Sequence, residues 1–331
     1  ILRKQIKALA DAGMKAMVGT ELEFVVYNNT YEQAFNKGYK DLTPSNQYNV
    51  DYSILGGSRI EPLLRAIRLG MSGAGMNVES VKGECNFGQH EIAFKYSEAL
   101  NSCDNHVIYK NGAKEIAAAT GYALTFMAKP NQKEGNSSHI HLSFRGLKDE
   151  LVMADDKDKE HGLSDVGRSF IAGQIKHLRE LSLLFAPNIN SYKRYVPGSF
   201  APTAIRWGRD NRTCALRLVG HGQSLRLENR VPGGDVNPYL AVAGIIAAGL
   251  DGVKNNLKLE PAYTTNAYDS DSPRVPATML EAQTLWAGSA WVKEVFGSEV
   301  QDHYANMAQV ELDAYGKAVT DWELFRNFER F

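Results

Sequence analysis

Gly83-Glu84-Cys85-Asn86-Phe87-Gly88-Gln89-His90-Glu91-Ile92 decides the fold, because three other stretches share its pattern. Thr20-Glu21-Leu22-Glu23-Phe24 lies upstream. Ser138-His139-Ile140-His141-Leu142-Ser143 and Leu225-Arg226-Leu227-Glu228-Asn229-Arg230 lie downstream. Each is a short apolar run with acids, imidazoles or guanidiniums set two residues apart. On a β-strand, positions i and i+2 point to the same face. Several strands that each project ionisable groups from one face describe a polar cavity, since buried charges need partners or metals.

The whole chain permits this reading. Its 331 residues can bury a large core. The formal net charge is -1, from 37 basic and 38 acidic side chains, which gives no basic surface for nucleic acid. The longest apolar segment, Tyr239 to Leu250, is too short to span a bilayer, so no membrane partner is expected. The chain opens on Ile1 and shows no secretory pattern. Cys85, Cys103 and Cys214 form no CxxC pair, and a reduced, cytoplasmic compartment is the natural expectation.

The order of elements is mixed. Helices are expected over 3–12, 61–74, 98–121, 164–185 and 238–255, and strands over 15–27, 76–84, 89–96, 123–129, 214–219 and 224–231, with another around His139. Residues 31–49 read as an irregular insertion and 149–160 as a solvated loop. The last fifty or so residues alternate helical patterns with turns. This is one α+β domain in which strands form the working surface.

Taken singly, the motifs are weak. Glu21-x-Glu23 on a strand commonly marks a solvated edge, and Glu228 between Arg226 and Arg230 suits a salt-bridged ladder. His139-x-His141 resembles a zinc hydrolase pair, but such a pair is as often core. Together they carry more weight. Hard cations such as Mg²⁺ and Mn²⁺ take carboxylate oxygen, with imidazole tolerated by Mn²⁺, and five carboxylates exceed what one catalytic zinc uses. Arg212, Arg217, Arg226 and Arg230 supply forked donors for phosphate and carboxylate. Metals with arginines around phosphate oxygens compose a phosphoryl-transfer site, although neither a P-loop nor a strand-linked GxGxxG is present.

In this order and spacing the segments resemble the catalytic domain of the glutamine synthetase family. Asn111-Gly112-Ala113-Lys114, Phe126 to Pro130, Asn190 to Gly198, Asp210-Asn211-Arg212-Thr213 and Asn237-Pro238-Tyr239-Leu240 add to the match. The resemblance implies a curved, mostly antiparallel sheet lining the active site, with helices packed outside. It implies one metal on Glu23, Glu84 and Glu91, and a second on Glu21, His139 and Glu228, both Mg²⁺ or Mn²⁺. Arg194 matches the grip on the α-carboxylate of L-glutamate, and Gly135 the loop carbonyl near its ammonium. Arg212 and Arg230 match the arginines around the transferring phosphoryl group. Glu79, Tyr96, His141, Ser143, Arg217 and Arg226 match nucleotide and phosphate contacts. The implied reaction phosphorylates the γ-carboxylate of glutamate with ATP, and an amine then displaces phosphate. The implied assembly is a homo-oligomeric ring, a dodecamer by resemblance.

Three departures qualify the match. Ser199 and Phe200 stand where ammonia-using members carry a flap glutamate, and a phenyl ring neither accepts a proton nor pairs with ammonium. Glu134 stands where the family usually has asparagine. The family's N-terminal β-grasp domain is not expected in this chain, which reads as catalytic domain over 1–331. The phosphorylating half is thus intact and the ammonium half altered, which points to a branch joining glutamate to polyamines, ethanolamine or aromatic amines. Ordinary glutamine synthesis from ammonia is the alternative. A non-catalytic regulatory relative is a further one, although it should have lost metal ligands and all six are present.

Overall fold

The computed structural model describes residues 1–331. Strand β1 (Met14–Tyr27) is the axis of a nine-stranded sheet. The other strands are β2 (Val78–Gly83), β3 (Gln89–Phe94), β4 (Ser97–Glu98), β5 (Ala123–Thr125), β6 (Ser138–Gly146), β7 (Ala204–Arg209), β8 (Cys214–Val219) and β9 (Arg226–Asn229). Their order is β2-β3-β1-β6-β9-β8-β7, with β4 and β5 also paired to β1. Every pairing is antiparallel except β7 with β8.

Helix α1 (Leu2–Asp11) precedes the sheet, and α2 (Tyr31–Asn36), α3 (Ile54–Ser58) and α4 (Glu61–Gly73) follow β1. Then come α5 (Ala99–Ala119), α6 (Asp165–Phe185) and α7 (Pro238–Lys254). The chain closes with α8 (Met279–Gly288), α9 (Ala290–Phe296), α10 (Ser298–Tyr315) and α11 (Asp321–Asn327). No helix is long and apolar enough to cross a membrane.

Alternation in the strands sorts the side chains. Leu22, Phe24 and Val26 of β1 bury in one apolar cluster with Leu63, Leu64 and Ile67 of α4 and Tyr109 of α5. Ile140, Leu142 and Phe144 of β6 enter the larger cluster with α6 and α7. The ionisable residues between them face away from the helices. Helix α7 is buried almost all round. Asn237 accepts hydrogen bonds from the backbone N–H groups of Tyr239 and Leu240, and Pro238 occupies its first turn. Helices α6 and α7 cross on glycine: a Cβ on Gly252 would stand 2.0 Å from the Ser169 carbonyl, and one on Gly173 2.1 Å from that of Ala248.

Three sequence expectations need correction. The strand expected over 123–129 stops at Thr125, because the Asn136 side chain donates to the Thr125 and Met127 carbonyls and ends the ladder. The insertion at 31–49 contains α2, capped reciprocally by Thr30 and Gln33, a signal readable in the sequence. Strand β7 was not expected at all. It is a parallel partner with a register shift, so no local hairpin signal announces it.

The α6–α7 crossing yields a prediction. Gly252→Ala should lower the unfolding free energy by about 1–3 kcal/mol, measured by chemical denaturation, through overpacking at the backbone contact.

Candidate functional site

The register of five strands assembles the site. Glu23 stands opposite Glu91 across β1 and β3, and Glu21 opposite His139 across β1 and β6. His141 stands opposite Glu228 on β9, which in turn faces Arg217 on β8. Glu84 lies just past β2, in the turn that leads into β3.

Two ligand-like sets result, and they match the two sets expected from the sequence. The donor atoms of Glu23, Glu84 and Glu91 all lie within 4.8 Å of one another, as do those of Glu21, His139 and Glu228. The first set is orderly. Glu23 accepts from the Ser137 backbone N–H at 2.8 Å, the Ser137 hydroxyl at 2.6 Å and the Gln89 amide at 3.1 Å. Lys82 Nζ lies 2.6 Å from Glu91 Oε1 and 3.4 Å from Glu84 Oε1. Three carboxylates share one ammonium, so ionising all three would leave a net charge of minus two, the complement of one divalent cation. Burial and the neighbouring Glu23 carboxylate raise the Glu84 carboxyl to about 8 in the protein alone. Burial and the Glu21 carboxylate push Glu91 well above the usual carboxylate range.

The second set is closer to neutral. His139 Nδ1 lies 3.2 Å from Glu228 Oε1 and 3.4 Å from Glu21 Oε2, and His141 Nε2 lies 3.0 Å from Glu21 Oε1. Arg230 and Arg217 reach Glu228 at 2.5 and 3.0 Å. Against the cost of burial, His139 and Arg230 hold the Glu228 carboxyl at about 2. Burial and the Arg230 charge push His139 below the usual imidazole value, leaving it a neutral donor. A cation here brings charge that the two arginines already balance, so it calls for a further anion. Both donor sets are carboxylate oxygen with at most one imidazole, which fits a hard divalent cation.

The remaining predicted residues divide between two cavities that share Glu21. Gly135, Arg194, Arg212, Arg217 and Arg230 line the first, together with both carboxylate sets. Glu79, Tyr96, His141, Ser143 and Arg226 line the second, of about 440 Å³, which is in the range of small-molecule sites. Arg226 Nε donates to His141 Nδ1 at 3.1 Å. Arg217, grouped with the nucleotide residues from the sequence, sits instead in the first cavity, where its Nε also donates to Asp210 at 2.8 Å. Arg194 is buried, donates to the Val231 carbonyl and leaves Nε without a partner. Gly135 permits that placement, because a Cβ there would stand 2.8 Å from Arg194 Cγ and 2.3 Å from the Ala128 carbonyl.

Sequence reasoning missed Lys82, Gln89, Ser137, Asp51 and Tyr52. Lys82 stood two residues before Glu84 and could have been found by the same alternation. Gln89 and Ser137 act by hydrogen bonds to residues distant in sequence, which leave no local pattern. Tyr52 and Phe200 line the first cavity from backbones at φ 55° and 61°, a region aromatic residues rarely enter. Tyr52 is held there by its N–H bond to the Gly83 carbonyl at 3.1 Å. Gly83 lets the turn approach, since a Cβ on it would meet the Val50 carbonyl at 2.3 Å.

Clustered carboxylates, interleaved arginines and a second pocket on one sheet face define a ligase-type site that gathers anionic substrates. The description "glutamine synthetase, catalytic domain" fits residues 1–327. A γ-glutamylethanolamide synthetase of Streptomyces coelicolor is 62% identical over 100% of this chain and 71% of its own length. A glutamate–isopropylamine ligase of a Pseudomonas species is 36% identical over 98% of this chain and 72% of its own length. The ligand-free structure of GmaS superposes with TM-score 0.88 at 27% identity, covering 99% of this chain and 76% of that one. The chain belongs to the glutamine synthetase family.

The first carboxylate set makes the metal-free protein sensitive to pH. A carboxyl raised from 4.5 to about 8 contributes stability that is full below 4.5 and lost as pH rises through 8. The melting temperature of metal-depleted protein should therefore fall between about pH 6 and pH 8.5, and Mg²⁺ or Mn²⁺ should raise it more at the higher pH. Glu84→Gln should flatten both trends. A second test concerns the loop glycine: Gly135→Ala should lower the unfolding free energy by about 1–3 kcal/mol, measured by chemical denaturation, because its Cβ would meet the Ala128 carbonyl and the Arg194 stem.

Proposed function

We propose that this chain is the catalytic part of an ATP-dependent ligase that joins the γ-carboxylate of L-glutamate to a small monoamine. The reaction passes through γ-glutamyl phosphate and releases ADP and phosphate. The observation that carries this reading is the two-cavity arrangement, with both carboxylate sets lining an arginine-rich cavity that joins a second pocket at Glu21. The relatives named for ethanolamide and isopropylamine products support a monoamine as acceptor.

Glutamate would lie in the first cavity with its α-carboxylate on Arg194, whose Nε has no partner in the protein. The nucleotide would enter through the second pocket, against Tyr96, Ser143 and Arg226, with Glu79 and His141 completing its wall. Glu23, Glu84 and Glu91 would hold one Mg²⁺ or Mn²⁺, and Glu21, His139 and Glu228 another. These cations supply charge neutralisation between carboxylate and polyphosphate. Arg230 and the exposed Arg212 line the space between and offset the charge that builds on the phosphoryl group in flight. The γ-carboxylate oxygen attacks the terminal phosphorus of ATP and ADP leaves. The neutral amine then attacks the acyl carbon, phosphate leaves with the bonding pair, and the proton shed by the amine nitrogen passes to the departing phosphate. Phe200, Tyr52 and Ser199 wall this end and limit the access of water to the acyl phosphate.

The lining also speaks to the acceptor. Phe200 offers no charge, and Lys82 places an ammonium in the same cavity. A polyamine would bring a second cation against Lys82, whereas a monoamine brings one toward Asp51 and Glu134.

Assembly and compartment complete the reading. Helix α11 and its tail expose Trp322, Phe325, Phe328 and Phe331, an apolar face that water disfavours and a second copy would cover. That supports a homo-oligomer, a stacked ring by resemblance. All three cysteines are free thiols, which suits the cytoplasm.

Phosphate release from ATP with glutamate and Mg²⁺ tests the reading, using ammonium, ethanolamine, isopropylamine, putrescine and an aromatic amine, with products identified by mass. Turnover with a monoamine is expected to exceed that with ammonium or putrescine by about tenfold or more. Turnover by ammonium alone would make the protein a glutamine synthetase, and no release with any amine would overturn catalysis. Phe200→Glu should shift the preference toward ammonium, and Arg230→Leu should lower kcat by about a hundredfold or more.

A further inference from the structure

Lys82 is the single cationic side chain paired with the Glu23–Glu84–Glu91 set. Its placement follows from the sheet, since Lys82 stands opposite Glu91 in the β2–β3 register. Its ammonium reaches Glu91 at 2.6 Å and Glu84 at 3.4 Å. A divalent cation on the same carboxylates would meet this ammonium within a few ångströms, where like charges repel strongly. The two cannot share the carboxylates on equal terms.

The structure also gives Lys82 a neighbour that would hold it off the carboxylates. The Tyr52 ring already flanks the ammonium, its centroid 6.0 Å from Nζ, in the same cavity. Tyr52 is tied to the end of β2 through its N–H bond to Gly83, one residue from Lys82. The Lys82 side chain is 25% exposed, so its ammonium has room to release the carboxylates and close on that ring.

We propose that Lys82 is a resident counter-ion that competes with the divalent cation for Glu84 and Glu91 and withdraws to the Tyr52 ring when the cation binds. This rests on the reading of Glu23, Glu84 and Glu91 as a cation site. Lys82 thereby sets the cation concentration at which the site fills, and keeps three crowded carboxylates tolerable before it does.

The test is Mn²⁺ binding to metal-depleted protein without nucleotide or glutamate, followed by calorimetry and by the spin-resonance signal of free Mn²⁺. Lys82→Met should bind Mn²⁺ at this set about tenfold tighter or more, because a competing unit charge is gone. Lys82→Gln, which keeps a hydrogen-bond donor, should tighten it as well. Circular dichroism checks that each variant is folded, and either variant alone suffices. Tyr52→Leu should weaken Mn²⁺ binding in the natural background and leave it unchanged in the Lys82→Met background. Unchanged or weaker binding in the folded Lys82 variants would overturn the competition. An equal effect of Tyr52→Leu in both backgrounds would overturn the withdrawal. Glu84→Gln separates this proposal from the reading beneath it: if it leaves Mn²⁺ binding untouched, the set is not a cation site.

Discussion

Carboxylates crowd one face of a sheet only where something neutralises them, and that constraint governs the design of this molecule. Strand β1 supplies one acid to each set, Glu21 to one and Glu23 to the other. Same-face neighbours on a strand stand about 7 Å apart, so the pitch of a single strand fixes the two sets side by side. The flanking strands then decide what each set becomes. β2 and β3 add two more acids and a lysine. β6, β8 and β9 add imidazole and guanidinium. Fully ionised, one set is two charges negative and the other near neutral, which suits one to a cation by itself and the other to a cation together with an anion.

The rest of the architecture serves to hold that face still. Helices α4 and α5 bury one side of the sheet, and α6 and α7 the other end of the same side. The crossing of α6 and α7 on glycines lets backbones meet without intervening side chains, which leaves little freedom for the sheet above them. Glycine plays the corresponding part on the working face, where Gly135 admits Arg194 and Gly83 admits the turn bearing Asp51 and Tyr52. The unusual backbones of Tyr52 and Phe200 are then intelligible as the cost of presenting two aromatic rings at one cavity end.

Much of this was legible beforehand, for a definite reason. Four residues of the two sets, Glu21, Glu23, His139 and Glu228, lay in segments with two-residue alternation, which a strand converts directly into a shared face, and Glu84 and Glu91 flank the turn at Gly88. Long amphipathic or buried helices such as α6 and α7 were readable from caps and periodicity. Pieces that depend on distant partners were not. Strand β7 exists through a parallel neighbour, β5 is cut short by Asn136, and Arg217 belongs to the first cavity because β8 pairs with β9.

The sequence by itself determined which residues are ionisable and which strand residues share a face, since these follow from residue identity and the period of the backbone. Only the tertiary structure decided how the strands line up, and so which acids meet. It also decided that Lys82 sits among them, that Arg194 is buried beside Gly135, and that Tyr52 faces Phe200's cavity. Charge interactions fall off over a few ångströms inside a protein, so their outcome rests on register and packing that no local stretch encodes.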